Sequence, residues 1–145
     1  MSAVDKFLRN IWLECCGHLS AFRYRGGEFG KARKVSSLPI GSTLLYEYDF
    51  SSTTEIQVSV IGETMRPAQR EKVRLLARNV PMEEVCEDCG APAEWVNVFD
   101  EYSLLCDECA DGEEDGLLPI TNSPRCGECG YTGEFDKWAF EPAEK

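Results

Sequence analysis

The chain has 145 residues, 43% of them hydrophobic, which allows one domain or two small ones with a modest core. No run of about 18 apolar residues occurs, which excludes a helical membrane span, and the opening MSAVDKFLRN has neither the apolar core nor the small-residue cleavage site of a signal peptide. The net charge of -11 is unevenly placed: residues 1–80 carry 12 Lys and Arg against 8 Asp and Glu, residues 81–145 only 3 against 18. The expectation is a cytoplasmic protein with reduced thiols. Its acidic second half repels nucleic-acid phosphates, so any contact with DNA or RNA falls to the first 80 residues.

Val4, Phe7, Leu8, Ile11, Trp12 and Cys15 recur at helical spacing and predict one amphipathic helix from about Val4 to Cys16, ended by Gly17 in a left-handed conformation. Leu19 to Arg25 reads as a short strand, Gly26-Gly27 as a turn, and residues 28–42 as mostly irregular. Thr43 to Phe50 is a strand with Leu44, Tyr46, Tyr48 and Phe50 on one face. Glu55 to Ile61 is its hairpin partner, with Ile56, Val58 and Val60 inward. Met65 to Lys72 reads as a polar connection and Val73 to Ala77 as a third strand, closed by Asn79 and Pro81. One helix on a small antiparallel sheet is an α+β arrangement.

Beyond Pro81 the composition turns to Cys, Asp, Glu and Gly. Three C-x2-C pairs follow, Cys86/Cys89, Cys106/Cys109 and Cys126/Cys129, separated by 16 residues each time. Two residues between cysteines let one tight turn aim both sulfurs at a common tetrahedral centre, and two such turns complete a structural Zn2+ site. A disulfide framework would need an oxidising compartment that nothing in the sequence supports. Trp95, Val96, Val98 and Phe99 give a strand and Tyr102 to Leu105 a return strand, so Cys86, Cys89, Cys106 and Cys109 are expected to close one ribbon-type site. The second spacer, Ala110 to Arg125, is acidic and lacks a paired-strand pattern; its run from Asp111 to Asp115 reads as a solvated loop tip. Cys126 and Cys129 then need two more ligands, and the expected ones are His18, the only histidine, and either Cys15 or Cys16. The organisation predicted is a helix-plus-sheet domain over 1–81 and an acidic zinc-binding ribbon segment over 82–145, with one or two Zn2+.

The first 80 residues resemble the Ri-plasmid open-reading-frame-three-like domain family, an insertion-element passenger sometimes labelled resolvase-like. The resemblance rests on the helix leading into HLSAF at His18 to Phe22, on FRYRGGEFG at Phe22 to Gly30, and on LLYEYDF at Leu44 to Phe50 with the strand Glu55 to Val60. The family's Gly-Asp after YDF is Ser51-Ser52 here, and its Trp and His are Thr54 and Ile56. NSPRCGECGYTG at Asn122 to Gly133 resembles the zinc ribbon that small bacterial proteins append to this domain. The resemblance implies a fold and carries no defined biochemical activity.

Three functions compete. The first is a cytoplasmic interaction module, an adaptor or regulator with structural zinc, whose acidic ribbon is expected either to meet a basic protein partner or to fold against the chain's own basic half. The second is nucleic-acid binding through Arg23, Arg25, Lys31, Arg33 and Lys34 and through Arg66, Arg70, Lys72, Arg74 and Arg78, with Phe22 and Tyr24 interleaved as a stacking platform. Strand alternation sends those two rings to the face opposite Arg23 and Arg25. The third is a zinc-dependent hydrolase using an open position at the second site with Glu14 as base. A single histidine leaves little for a His-based triad, and Gly26-Gly27-x-x-Gly30 lacks the Lys-Ser/Thr of a phosphate loop. The interaction module is the favoured reading, and no catalytic residue is assigned.

Overall fold

The computed structural model describes residues 1–65, 72–113 and 115–138. It is α+β, and the chain divides into two compact units. The first comprises Met1–Arg9 and Cys16–Leu76; the second comprises Asn10–Cys15 and the residues from Ala77 onward. Among the described residues no helix is long and apolar enough to cross a membrane.

The first unit opens with α1 (Ser2–Leu8). Its start is tied to the segment beyond the first hairpin, because the Ser2 amide donates to the Lys31 carbonyl at 2.9 Å. The predicted α-helix does not run on to Cys16: the chain widens into a π-helical turn over Arg9–Leu13 and then leaves helical geometry. A wider turn rotates the following side chains relative to a 3.6-residue stripe. Leu8 and Ile11 are buried as the stripe requires, but Leu13, which lies off it, is buried as well, while Trp12 and Cys15, which the stripe placed inward, are half-buried. Gly17 does adopt the left-handed conformation, with φ +86°.

Four strands follow: β1 (Ser20–Tyr24), β2 (Gly27–Glu28), β3 (Thr43–Tyr48) and β4 (Thr54–Ser59). They form one antiparallel sheet in the order β2-β1-β3-β4. The turn between β1 and β2 is centred on Arg25 and Gly26, both at positive φ, one residue earlier than the glycine pair suggested. Such paired left-handed residues match the twist of a two-residue hairpin. The core is aromatic. Phe22 stands opposite Tyr46 in the β1–β3 register, their rings 4.6 Å apart and tilted by 54°. Leu44, Tyr46 and Tyr48 are buried on the same face, as their alternation requires. Phe50 is the exception at 52% exposed. Asp49 takes φ +61°, which breaks the period of two before Phe50 is reached. Ile56, Val58 and Val60 are half-buried.

Val73 to Ala77 is not a strand. The alternation there is genuine, but a strand exists only through a partner's hydrogen bonds, and no described strand pairs with this segment. Most of the connection before it, residues 66–71, lies outside the described residues, Arg66 and Arg70 included.

The second unit holds β5 (Trp95–Asn97), β6 (Ser103–Leu105), a one-turn helix α2 (Asp107–Ala110) and β7 (Leu117–Pro119). The strands pair antiparallel in the order β6-β5-β7. β7 lies in the spacer where no strand was expected. Pro119 ends it, and a proline is tolerated there because β7 is an edge strand.

Candidate metal centre

The first knuckle is a tight hairpin. The Cys86 amide donates to the Ala91 carbonyl at 2.7 Å, and the Gly90 amide donates back to the Cys86 carbonyl at 2.9 Å. Gly90 sits at φ +74°, so the residue after the second cysteine turns the chain without strain. The second pair is presented differently. Cys106 caps α2 in an extended conformation, and Cys109 lies within that one turn of helix. The amide of Glu87 donates to Leu104 and that of Glu94 to Leu105, both at 2.9 Å, which fixes the knuckle against β6.

These supports bring Cys86, Cys89, Cys106 and Cys109 together, with all four sulfurs within 4.8 Å of one another. Cys89 Sγ and Cys106 Sγ are 3.6 Å apart. That is too long for a disulfide at about 2.05 Å, and it is close to the separation of about 3.8 Å that four Zn–S bonds of about 2.3 Å impose at tetrahedral angles. All eight cysteines of the chain are free thiols. Cys86 and Cys106 are buried with Leu105 and Ala110, and Ala91, Trp95, Cys109 and Leu117 pack around them. The indole N–H of Trp95 donates to the Asp107 carboxylate at 3.1 Å across this cluster.

The local electrostatics favour a thiolate at Cys86, one of its two buried members. The backbone amide of Cys106 aims at the Cys86 sulfur, and with the amides of Cys89 and Asp88 it lowers the thiol to about 6, against the opposing effect of burial. Cys109 is pushed the other way by sulfurs Cys106, Cys89 and Cys86 crowding it. Four thiols this close cannot all ionise without a cation among them, and a divalent metal resolves that conflict.

Two clusters of cysteine and histidine side chains among the described residues could hold metal ions. The second involves the segment after the π-turn. Within the first unit, Cys16 Sγ lies 3.0 Å from His18 Nε2. His18 Nδ1 lies 3.4 Å from Asp49 Oδ1, a neighbour that the sequence reading did not mark. Within the second unit, the sulfurs of Cys15 and Cys129 are within 4.8 Å of each other. Cys126 falls in neither cluster; its sulfur accepts the Thr121 amide at 3.4 Å.

Of the basic residues named for nucleic acid, Arg23, Arg25, Lys31, Arg33 and Arg78 are engaged by other side chains of the protein. Arg23 pairs with Glu47 at 2.8 Å, and Lys31 with Asp5 at 2.8 Å. The guanidinium of Arg25 stacks over the Tyr24 ring and that of Arg33 over the Phe29 ring, at 5.1 and 4.2 Å. Lys34, Lys72 and Arg74 are exposed. Phe22 is buried and offers no stacking surface. Arg78 lies almost out of solvent in the second unit. It pairs with Asp136 at 2.6 Å and donates to the carbonyls of Trp138 and Asn122 at 2.6 and 3.0 Å. Glu14 is half-buried, and of the acidic run Asp111, Gly112, Glu113 and Asp115 are exposed, while Glu114 lies outside the described residues.

The second unit also carries a cavity of about 510 Å3, lined mainly by apolar groups of Trp12, Pro81, Met82, Tyr102, Leu104 and Ile120. Compared with models of known protein families, with curated proteins and with solved structures, the chain finds no match.

Proposed function

We propose that the chain is a zinc-stabilised interaction module of the cytoplasm, in which zinc has a structural role and the acidic ribbon docks a basic protein partner. The observation that carries this reading is the convergence of four sulfurs from two knuckles at Cys86, Cys89, Cys106 and Cys109. Four thiolates fill a tetrahedral ion, so no position is left for a substrate or an activated water. A closed site of this kind supports structural rather than hydrolytic zinc. A second zinc takes Cys16 and His18 as two of its ligands.

The partner's chemistry follows from charge and exposure. Residues 81–145 carry 18 acidic and 3 basic side chains, and a four-thiolate zinc adds about -2. Val80, Met82, Val85 and Phe99 are exposed apolar groups on the same unit. An acidic surface with scattered apolar anchors suits a basic protein segment. The engagement of Arg23, Lys31 and Arg78 by carboxylates of the chain weighs against the nucleic-acid alternative. We further propose that the first unit is a divergent member of the Ri-plasmid open-reading-frame-three-like family, on the motifs at His18 to Phe22 and Leu44 to Phe50.

Zinc counted per chain by native mass spectrometry, with adventitious metal removed, tests the metal reading. Two zinc ions are expected; one would remove the second site, and none would remove the proposal. For the partner, a pull-down comparing the wild type with Glu113→Gln/Asp115→Asn should lose basic proteins, and an unchanged set would contradict an acidic docking surface.

A further inference from the structure

The HLSAF and YEYDF segments are neighbours across β1 and β3. Ser20 pairs with Tyr48, and just beyond that pair the Asp49 amide donates to the Leu19 carbonyl at 2.9 Å. This register places Asp49 beside His18. The Asp49 side chain is only 3% exposed, and its Oδ1 accepts both the Ser51 amide at 3.1 Å and the Ser51 hydroxyl at 2.6 Å. The carboxylate is therefore held from its own turn, independently of the histidine. Its left-handed backbone, φ +61°, swings it back toward β1 instead of letting β3 continue.

The imidazole of His18 is fixed on two sides. Nδ1 lies 3.4 Å from Asp49 Oδ1. The buried ring of Tyr48 meets the imidazole edge to face, with centroids 5.7 Å apart and planes at 88°. Nε2 then points at Cys16 Sγ, 3.0 Å away. A buried carboxylate at one ring nitrogen keeps the proton there and leaves a lone pair on the other, which is the form that binds a metal.

We propose that Asp49 is a positioning residue that holds the proton on His18 Nδ1 and presents Nε2 to zinc. This rests on the reading of Cys16 and His18 as zinc ligands. A purely structural Asp49, serving only to end β3 through its turn with Ser51, would affect stability without setting which nitrogen binds the metal.

His18 is the only histidine, so its ring nitrogens can be read without ambiguity in the zinc-loaded wild type. Long-range 1H–15N correlation should report a protonated Nδ1 and a metal-bound Nε2; a metal-bound Nδ1 overturns the proposal. Two variants respect the left-handed backbone. Asp49→Asn should weaken the second zinc about tenfold and Asp49→Gly up to about 100-fold in chelator competition. The zinc at Cys86, Cys89, Cys106 and Cys109 serves as the internal control and should keep its affinity. Undiminished affinity of the second zinc in Asp49→Gly also overturns the proposal. Should that variant fail to fold, the wild-type spectrum and Asp49→Asn still decide. A wild type that binds a single zinc defeats the underlying ligand reading, whereas two zinc ions with the wrong nitrogen bound defeat the role of Asp49 alone.

Discussion

In the first unit, Phe22, Leu44, Tyr46 and Tyr48 form a buried aromatic and aliphatic face on a four-stranded sheet. In the second unit, the ribbon's buried centre contains Cys86 and Cys106 beside Leu105 and Ala110, and its sheet has three strands of only three residues each. Aromatic side chains bury roughly 150–250 Å2 apiece, so the first unit can be held by removal of apolar surface from water. Strands of three residues bury too little for that, and small domains of this kind usually need a metal or disulfides. The cysteines of the ribbon thus lie in its buried centre and, on the proposed reading, serve as its zinc ligands at once.

The largest expected effect sharpens this contrast at its weakest point. Cys86→Ser removes a buried sulfur from the proposed zinc site, and structural zinc contributes on the order of 10 kcal/mol to folding such modules. The variant should lose one zinc by mass spectrometry together with the ribbon's ordered structure, followed through amide exchange at Trp95–Asn97.

Next come two substitutions of similar size, one in each unit. Phe22→Ala should destabilise the first unit by about 3–5 kcal/mol, equally with and without chelator in urea unfolding. Asp136→Ala leaves the Arg78 guanidinium buried without its 2.6 Å carboxylate partner. Breaking a buried ion pair from one side costs about 3–5 kcal/mol, and thermal unfolding of the second unit should show it. If Phe22→Ala became harmless once zinc was removed, the contrast between the two units would fail.

The smallest effect concerns the polar edge of the aromatic core. Asp5 Oδ1 accepts from Ser20 at 2.7 Å, from the Tyr46 hydroxyl at 2.8 Å and faces Lys31 at 2.8 Å. Burial pushes the carboxyl up, but the hydrogen bonds from Lys31, Ser20 and Tyr46 outweigh it and leave Asp5 below its ordinary value of 3.8. A carboxyl lowered on folding adds stability above its unfolded value and loses that contribution as the pH falls through the folded one. The first unit should thus weaken in acid below pH 3.8. Tyr46→Phe, which deletes one donor to that charge, should cost about 1.5 kcal/mol and make the acid-induced loss smaller.

Much of this organisation is legible in the residues. The period of two in Leu44, Tyr46 and Tyr48 specifies both a strand and its buried face. The spacing of Cys86/Cys89 and Cys106/Cys109, with strand-forming residues between, specifies which knuckles meet. What escaped depended on partners distant in sequence or on local departures from regular geometry. Leu13 is buried because the helix widens into a π-turn, which no 3.6-residue stripe encodes. Leu117–Pro119 becomes a strand only because β5 has a second edge to offer. Val73 to Ala77 alternates convincingly and finds no partner among the described strands. Asp49 resembles a strand residue until the register Ser20 to Tyr48 is known, and only that register places it beside His18.

Amide hydrogen exchange on the zinc-loaded protein and on the same protein after chelation tests most directly whether metal stands in for an apolar core. Protection at β5, Trp95–Asn97, should collapse on chelation, while protection at β3, Thr43–Tyr48, should persist. Retained protection at Trp95–Asn97 in protein verified to contain no zinc would contradict the account.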